Sequence, residues 1–168
     1  MSKIISNESS ICAAEGFYGD GISIGLKADN QKDLAFIYSD APCEVASVFT
    51  TNKMTAAPIR HFRSLGNFKT NFVLINAKNA NAMTGPAGID DISEVLEGLK
   101  TKFPQLENPV MSSTGVIGVR LPKEKILEGA LGFELGKKEP VSASEAIMTT
   151  DTFAKRIAFD VELSLIHI

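Results

Sequence analysis

The chain has 168 residues, 44% of them hydrophobic and 22% charged, with a net charge of −3. That length is one domain's worth and is enough to bury a core without disulfide or metal staples. The acidic balance leaves no electrostatic footprint for nucleic acid, and no apolar run reaches the ~18 residues that a membrane span needs.

The N-terminal stretch MSKIISNESSICAAEGFYGDG has no continuous apolar segment, so no signal peptide is read there. Cys12 and Cys43 are the only cysteines. Without an export signal they are expected to be free thiols in a cytosolic protein. With only His61 and His167 beside them they make a poor zinc set, and His61, among basic neighbours in PIRHFRS, is expected at the surface. In GFYGDGISIG, Gly19, Gly21 and Gly25 miss the G-x-G-x-x-G dinucleotide spacing by one, and no βαβ unit surrounds them. Tight turns around a strand are the simpler reading.

The next runs read as strands. DLAFIYSD (33–40) and EVASVFTTN (44–52) are short, apolar and bounded by turn residues, which predicts a hairpin or meander. NFVLINA (71–77), PVMSS (109–113) and RIAFDVEL (156–163) extend the set. Ile92, Leu96, Leu99 and Phe103 are three or four apart and predict a helix from Ile89, with Asp90, Asp91 and Glu94 in its first turns and Pro104 as its stop. Pro122 starts a second helix with an apolar face of Ile126, Leu127, Ala130 and Leu131. Ser142 and Glu145 form an S-x-x-E capping box for a short third. Strands followed by helices imply an α+β fold, a layered α/β sandwich.

Three polar segments carry candidate chemistry. The loop INAKNANAMTG (75–85) is either a stiff loop bonded to itself or one that presents amides to a ligand. In MSSTGVIGVRLP (111–122), Thr114 and Gly115 stand where a strand runs towards a helix. A hydroxyl beside a glycine N–H can stabilise an oxyanion, each such donor being worth roughly 2.7–4 kcal/mol, or the segment can be a plain ST-turn. AIMTTDT (146–152) offers three hydroxyls and an acid, as a polar helix end or as substrate-binding groups. No nucleophile–base pair is visible.

Taken in order, EGFYGDGISIGLK, DLAFIYSD, VFTTNKMTAAPI, NAKNANAMTG, STGVIGVRLP and EAIMTTDT resemble the ornithine acetyltransferases, the glutamate N-acetyltransferases of arginine biosynthesis. The resemblance runs from Glu15 to about Val161 and implies that family's layered fold, N-terminal part only. It implies transfer of the acetyl group of N2-acetylornithine to glutamate, with acetyl-CoA as a further donor in some members and no metal or tightly held cofactor. It implies self-cleavage before a threonine that becomes the nucleophile of a second chain, and an α2β2 assembly. Carried over, Thr114 and Gly115 form the oxyanion hole and Thr149 binds substrate, with Thr150 as its nearby alternative.

Some features depart from the family pattern. Lys78 stands where many relatives have glycine, and Met83 where many have cysteine. The glycine-rich segment, substrate-binding lysine and self-cleaving Ala-Thr-Met-Leu that follow in relatives are not in this sequence. Residues 1–163 are therefore expected to be an α-chain region and 164–168 a non-native tail. Such a chain is expected to be inactive without its C-terminal β chain. The alternative of another class is a non-catalytic protein on the same fold that recognises acetylated amino acids.

Overall fold

The computed structural model describes residues 3–7 and 10–162. The proposed tail at 164–168 lies outside the described residues. Among the described residues, six strands and four α-helices follow in chain order: β1 (Lys3–Asn7), β2 (Phe17–Ile22), β3 (Leu34–Glu44), α1 (Ala57–Ser64), β4 (Lys69–Asn76), α2 (Gly85–Lys102), β5 (Val110–Ser113), α3 (Lys123–Ala130), α4 (Pro140–Ala146) and β6 (Ala158–Glu162). The main sheet has the order β2-β3-β4-β5, antiparallel except for the parallel β4–β5 pair. A separate antiparallel pair joins β1 to β6. The predicted α+β layering is what the structure has.

Period-two alternation along β3 decides the layers. Leu34 and Phe36 face one side with Phe72 and Leu74 of β4, and there Ile92, Val95, Leu96 and Leu99 of α2 and Ile126 and Ala130 of α3 complete the main core. Phe36 stacks on Phe72 with ring centroids 6.0 Å apart and meets Phe133 at 4.7 Å. Ala35 and Ile75 face the other side and pack against Ala143 and Ala146 of α4. The small side chains let α4 lie close to the sheet. Gly21 of β2 sets the limit, because a Cβ there would be 2.1 Å from the Ser142 carbonyl oxygen.

Several expectations need correction. EVASVFTTN is not a strand: β3 ends at Glu44, and residues 45–52 run without sheet pairing, Val48 being 98% exposed. The hairpin is instead β2–β3, with the glycine-rich segment as its first strand. The helix expected from Ile89 begins at Gly85, since Pro86 starts it well, and so Asp91 lies in its second turn. There Asp91 is buried and pairs with Arg120 through two 2.6 Å hydrogen bonds. Ser142 does not cap α4; the helix starts at Pro140, and the Ser142 hydroxyl accepts from Lys32 Nζ at 2.6 Å. His61 is buried on α1 rather than at the surface, and burial pushes its imidazole pKa down. Helix α1 itself carries no strong sequence signal. Cys12 and Cys43 are free thiols, as expected.

Candidate functional site

The asparagine loop is a scaffold made of its own amides. Asn76 Nδ2 donates to the carbonyls of Ala77 (3.1 Å) and Asn79 (3.0 Å). Asn79 Nδ2 donates to Val119 (3.0 Å) and Arg120 (2.9 Å), while its Oδ1 accepts from the Asn81 N–H. Asn81 Nδ2 reaches the Gly88 carbonyl at 2.8 Å, and its Oδ1 accepts the Thr84 hydroxyl at 2.7 Å. These asparagines are buried, so the self-bonded reading of the loop holds for them. Their function is to hold the loop against the segment that follows β5.

That segment is the Thr114–Gly115 turn. The Thr114 N–H donates to Asn76 O and the Val116 N–H to Lys78 O, each at 3.0 Å. Between them, the Gly115 N–H donates to no acceptor among the described residues. The Thr114 hydroxyl also has no partner there. Gly115 has φ +132°, a conformation that side-chain-bearing residues rarely adopt. A Cβ on it would be 2.3 Å from the Lys78 carbonyl carbon. Only glycine permits this approach, and it is the approach that leaves an N–H free. Just before the turn, two buried oxygens, Ser113 Oγ and Asn76 Oδ1, lack partners, and their residues sit opposite each other in the β4–β5 register.

Thr114, Gly115 and Val116 line a cleft of about 1040 Å³ together with Lys27, Lys32, Lys78, Glu145 and residues 148–151. Thr149 and Thr150 are among them, so the structure brings the distant candidates Thr114, Gly115 and Thr149 to one site. The Thr149 N–H donates to Asp151 Oδ2 at 3.4 Å. Lys155 beside Asp151, and then that N–H, hold the Asp151 carboxyl below its ordinary pKa.

Two cleft-shaping residues carried no sequence signal. Asp33 is fully buried, and its carboxylate accepts the N–H groups of Ile24 (2.8 Å), Leu26 (2.5 Å) and Lys27 (2.9 Å). Lys27 Nζ in turn donates to the carbonyls of Lys32 (2.7 Å), Ala146 (3.1 Å) and Glu145 (3.3 Å), satisfying the open end of α4. Partial burial pushes the Lys27 pKa down. Neither Asp33 nor Lys27 stands in a recognisable spacing; the fold alone brings their partners to them.

The fold and the cleft define an α+β protein in which two hydrogen-bond donors without partners among the described residues line one cleft. The chain belongs to the ArgJ family, whose model matches residues 19–168. It is 61% identical over 155 residues to the arginine biosynthesis bifunctional protein ArgJ of Wolinella succinogenes, covering 91% of this chain and 39% of that protein. The ArgJ of Caldanaerobacter subterraneus is 41% identical over 160 residues, or 88% of this chain and 38% of that protein. The chain thus spans well under half the length of these curated relatives. Among solved structures, ArgJ of Bacillus halodurans superposes with a TM-score of 0.83 at 29% identity, covering 99% of this chain and 97% of that one. The ornithine acetyltransferase of Mycobacterium tuberculosis, solved with ornithine, gives 0.78 at 26% identity, covering 99% and 98%.

Among the described residues, no helix is long and apolar enough to cross a membrane.

Proposed function

We propose that this region is the oxyanion-hole and substrate-binding part of an enzyme that moves the acetyl group of N2-acetylornithine to glutamate. The carrying observation is a pair of donors without partners among the described residues, the Gly115 N–H and the Thr114 hydroxyl, on the same cleft as Thr149. Family membership and the ornithine-bound structural relative support the substrate class.

In this reading a threonine exposed by self-cleavage, on a second chain from the same precursor, attacks the acetyl carbonyl with its Oγ. Its α-amine takes the hydroxyl proton and returns it to the departing nitrogen. The C–N bond breaks, ornithine leaves, and the acetyl group remains as a threonine ester. The amine of glutamate then attacks that ester, the ester C–O bond breaks, and N-acetylglutamate leaves with the threonine hydroxyl restored. In both steps the negative charge on the carbonyl oxygen is met by Thr114 and Gly115. Thr149 orients the amino acid. Acetyl-CoA, where it serves as donor, enters the same first step with a thiol as leaving group. The complete protein is proposed to assemble as α2β2.

The test is acetyl transfer from N2-acetylornithine to glutamate by the complete processed protein, followed by mass spectrometry. Thr114→Ala should lower kcat by roughly 100-fold with processing intact. Thr149→Ala should chiefly raise KM. A wild-type protein that transfers no acetyl group, or a Thr114→Ala variant with unchanged kcat, would overturn the reading.

A further inference from the structure

We propose that Lys78 is the residue that selects the acidic amino acid of the two substrates, by pairing with the side-chain carboxylate of glutamate. The proposal rests on the acetyl-transfer reading and assigns a specificity role within that site.

The cleft carries unequal charges. Three lysines, Lys27, Lys32 and Lys78, line it against two carboxylates, Glu145 and Asp151. Four of these five are committed to protein partners. Lys27 donates to three backbone carbonyls. Lys32 pairs with Glu145 at 3.1 Å and with the Ser142 hydroxyl. Asp151 pairs with Lys155. Lys78 has no side-chain partner among the described residues and is exposed. One positive charge is therefore left over on the cleft wall.

The position of that charge is fixed by the backbone. Lys78 has φ +75°, in the left-handed region that disfavours a side chain. The surroundings hold it there: the Ala77 N–H donates to Asp33 O, the Val116 N–H to Lys78 O, and Asn79 forms a bridge with Val116. Its carbonyl is the atom group against which Gly115 is packed. The lysine is thus anchored directly beside the oxyanion donors, on a flexible four-carbon stem whose ammonium can meet a carboxylate.

The two amino acids differ most in their side-chain charge. Ornithine ends in an ammonium and glutamate in a carboxylate, while both carry the same α-carboxylate. An unpaired ammonium on the cleft wall attracts glutamate and N-acetylglutamate and repels the ornithine side chain. In a two-step transfer these effects appear in separate half-reactions.

The experiment measures both half-reactions in the complete processed protein for wild type, Lys78→Met and Lys78→Arg. Both variants keep a side chain at the same backbone conformation. Lys78→Met should raise KM for glutamate roughly tenfold, with kcat little changed, since charge-assisted hydrogen bonds are of that strength. KM for N2-acetylornithine should stay the same or fall. Lys78→Arg should retain the wild-type preference, and added salt should weaken glutamate use in the wild type but not in Lys78→Met. Equal shifts in KM for both substrates, or none, would overturn the proposal. Calorimetric binding of N-acetylglutamate to wild type and Lys78→Met is the second measurement. If the wild type transfers no acetyl group, the functional reading falls; a wild-type preference for the acidic ligand lost in Lys78→Met would still support the contact, and equal binding would refute it.

Discussion

Gly115→Ala perturbs the turn and the asparagine loop in one change. The added Cβ would stand 2.3 Å from the Lys78 carbonyl carbon, 2.5 Å from its oxygen and 2.7 Å from the Asn79 nitrogen. All three are backbone atoms of a loop that its asparagines hold rigid, so no side chain can swing away. The φ of +132° adds conformational strain. Strain of this kind costs about 1–3 kcal/mol and overpacking about 1–3 kcal/mol more, so a loss of about 3 kcal/mol is expected. For a domain of this size that corresponds to a drop in Tm of about 6–12 °C. Thermal unfolding followed by circular dichroism measures it on the chain itself, and turnover by the complete protein should fall with it. Lys78→Gly should not rescue the variant, because the clash is with main-chain atoms. A Gly115→Ala protein with unchanged Tm would refute the account of how the loop frees its N–H.

Further predictions concern the scaffold. Gly21→Ala places a Cβ 2.1 Å from the Ser142 carbonyl oxygen and should lift α4 from β2, with a loss of about 3 kcal/mol read by denaturant unfolding. Asp91→Asn removes the charge of a buried carboxylate, but its partner Arg120 is 53% exposed, so about 2 kcal/mol is expected rather than the ~3–5 of a fully buried pair. The hydrogen bonds from Arg120 depress the Asp91 pKa. The stability it contributes is therefore full above the ordinary aspartate pKa of about 4 and lost as pH falls through the depressed value, a slope that Asp91→Asn should flatten. His61 is a base whose pKa burial lowers. The unfolded chain thus binds the proton first, and stability should decline as pH falls below about 6.5; in His61→Gln that decline should vanish from the urea midpoint measured against pH.

Much of this molecule is determined locally. Strands β3, β4 and β5 and helices α2 and α3 follow from apolar periodicity and from prolines that start or stop helices, signals contained in a dozen residues each. The pairing of a hydroxyl with a glycine at Thr114 and Gly115 marks a candidate donor pair, and the ordered motifs carry the family resemblance. Other features depend on residues far apart in the chain. Val48 and Phe49 are as apolar as a strand requires, yet they pair with no strand among the described residues, and a strand without a partner does not form. Gly21 reads as a turn residue; its role is to let a helix more than a hundred residues later approach the sheet. Asp33 and Lys27 have ordinary local contexts, and only the fold gathers three N–H groups around one and three carbonyls around the other. The same holds for Lys78. The sequence shows a lysine among asparagines, but that its charge is left without a partner among the described residues is a property of where Glu145, Asp151, Lys155 and the end of α4 come to rest. Periodicity is encoded within a turn or a pleat, whereas charge pairing and close backbone approach are decided when separate segments meet.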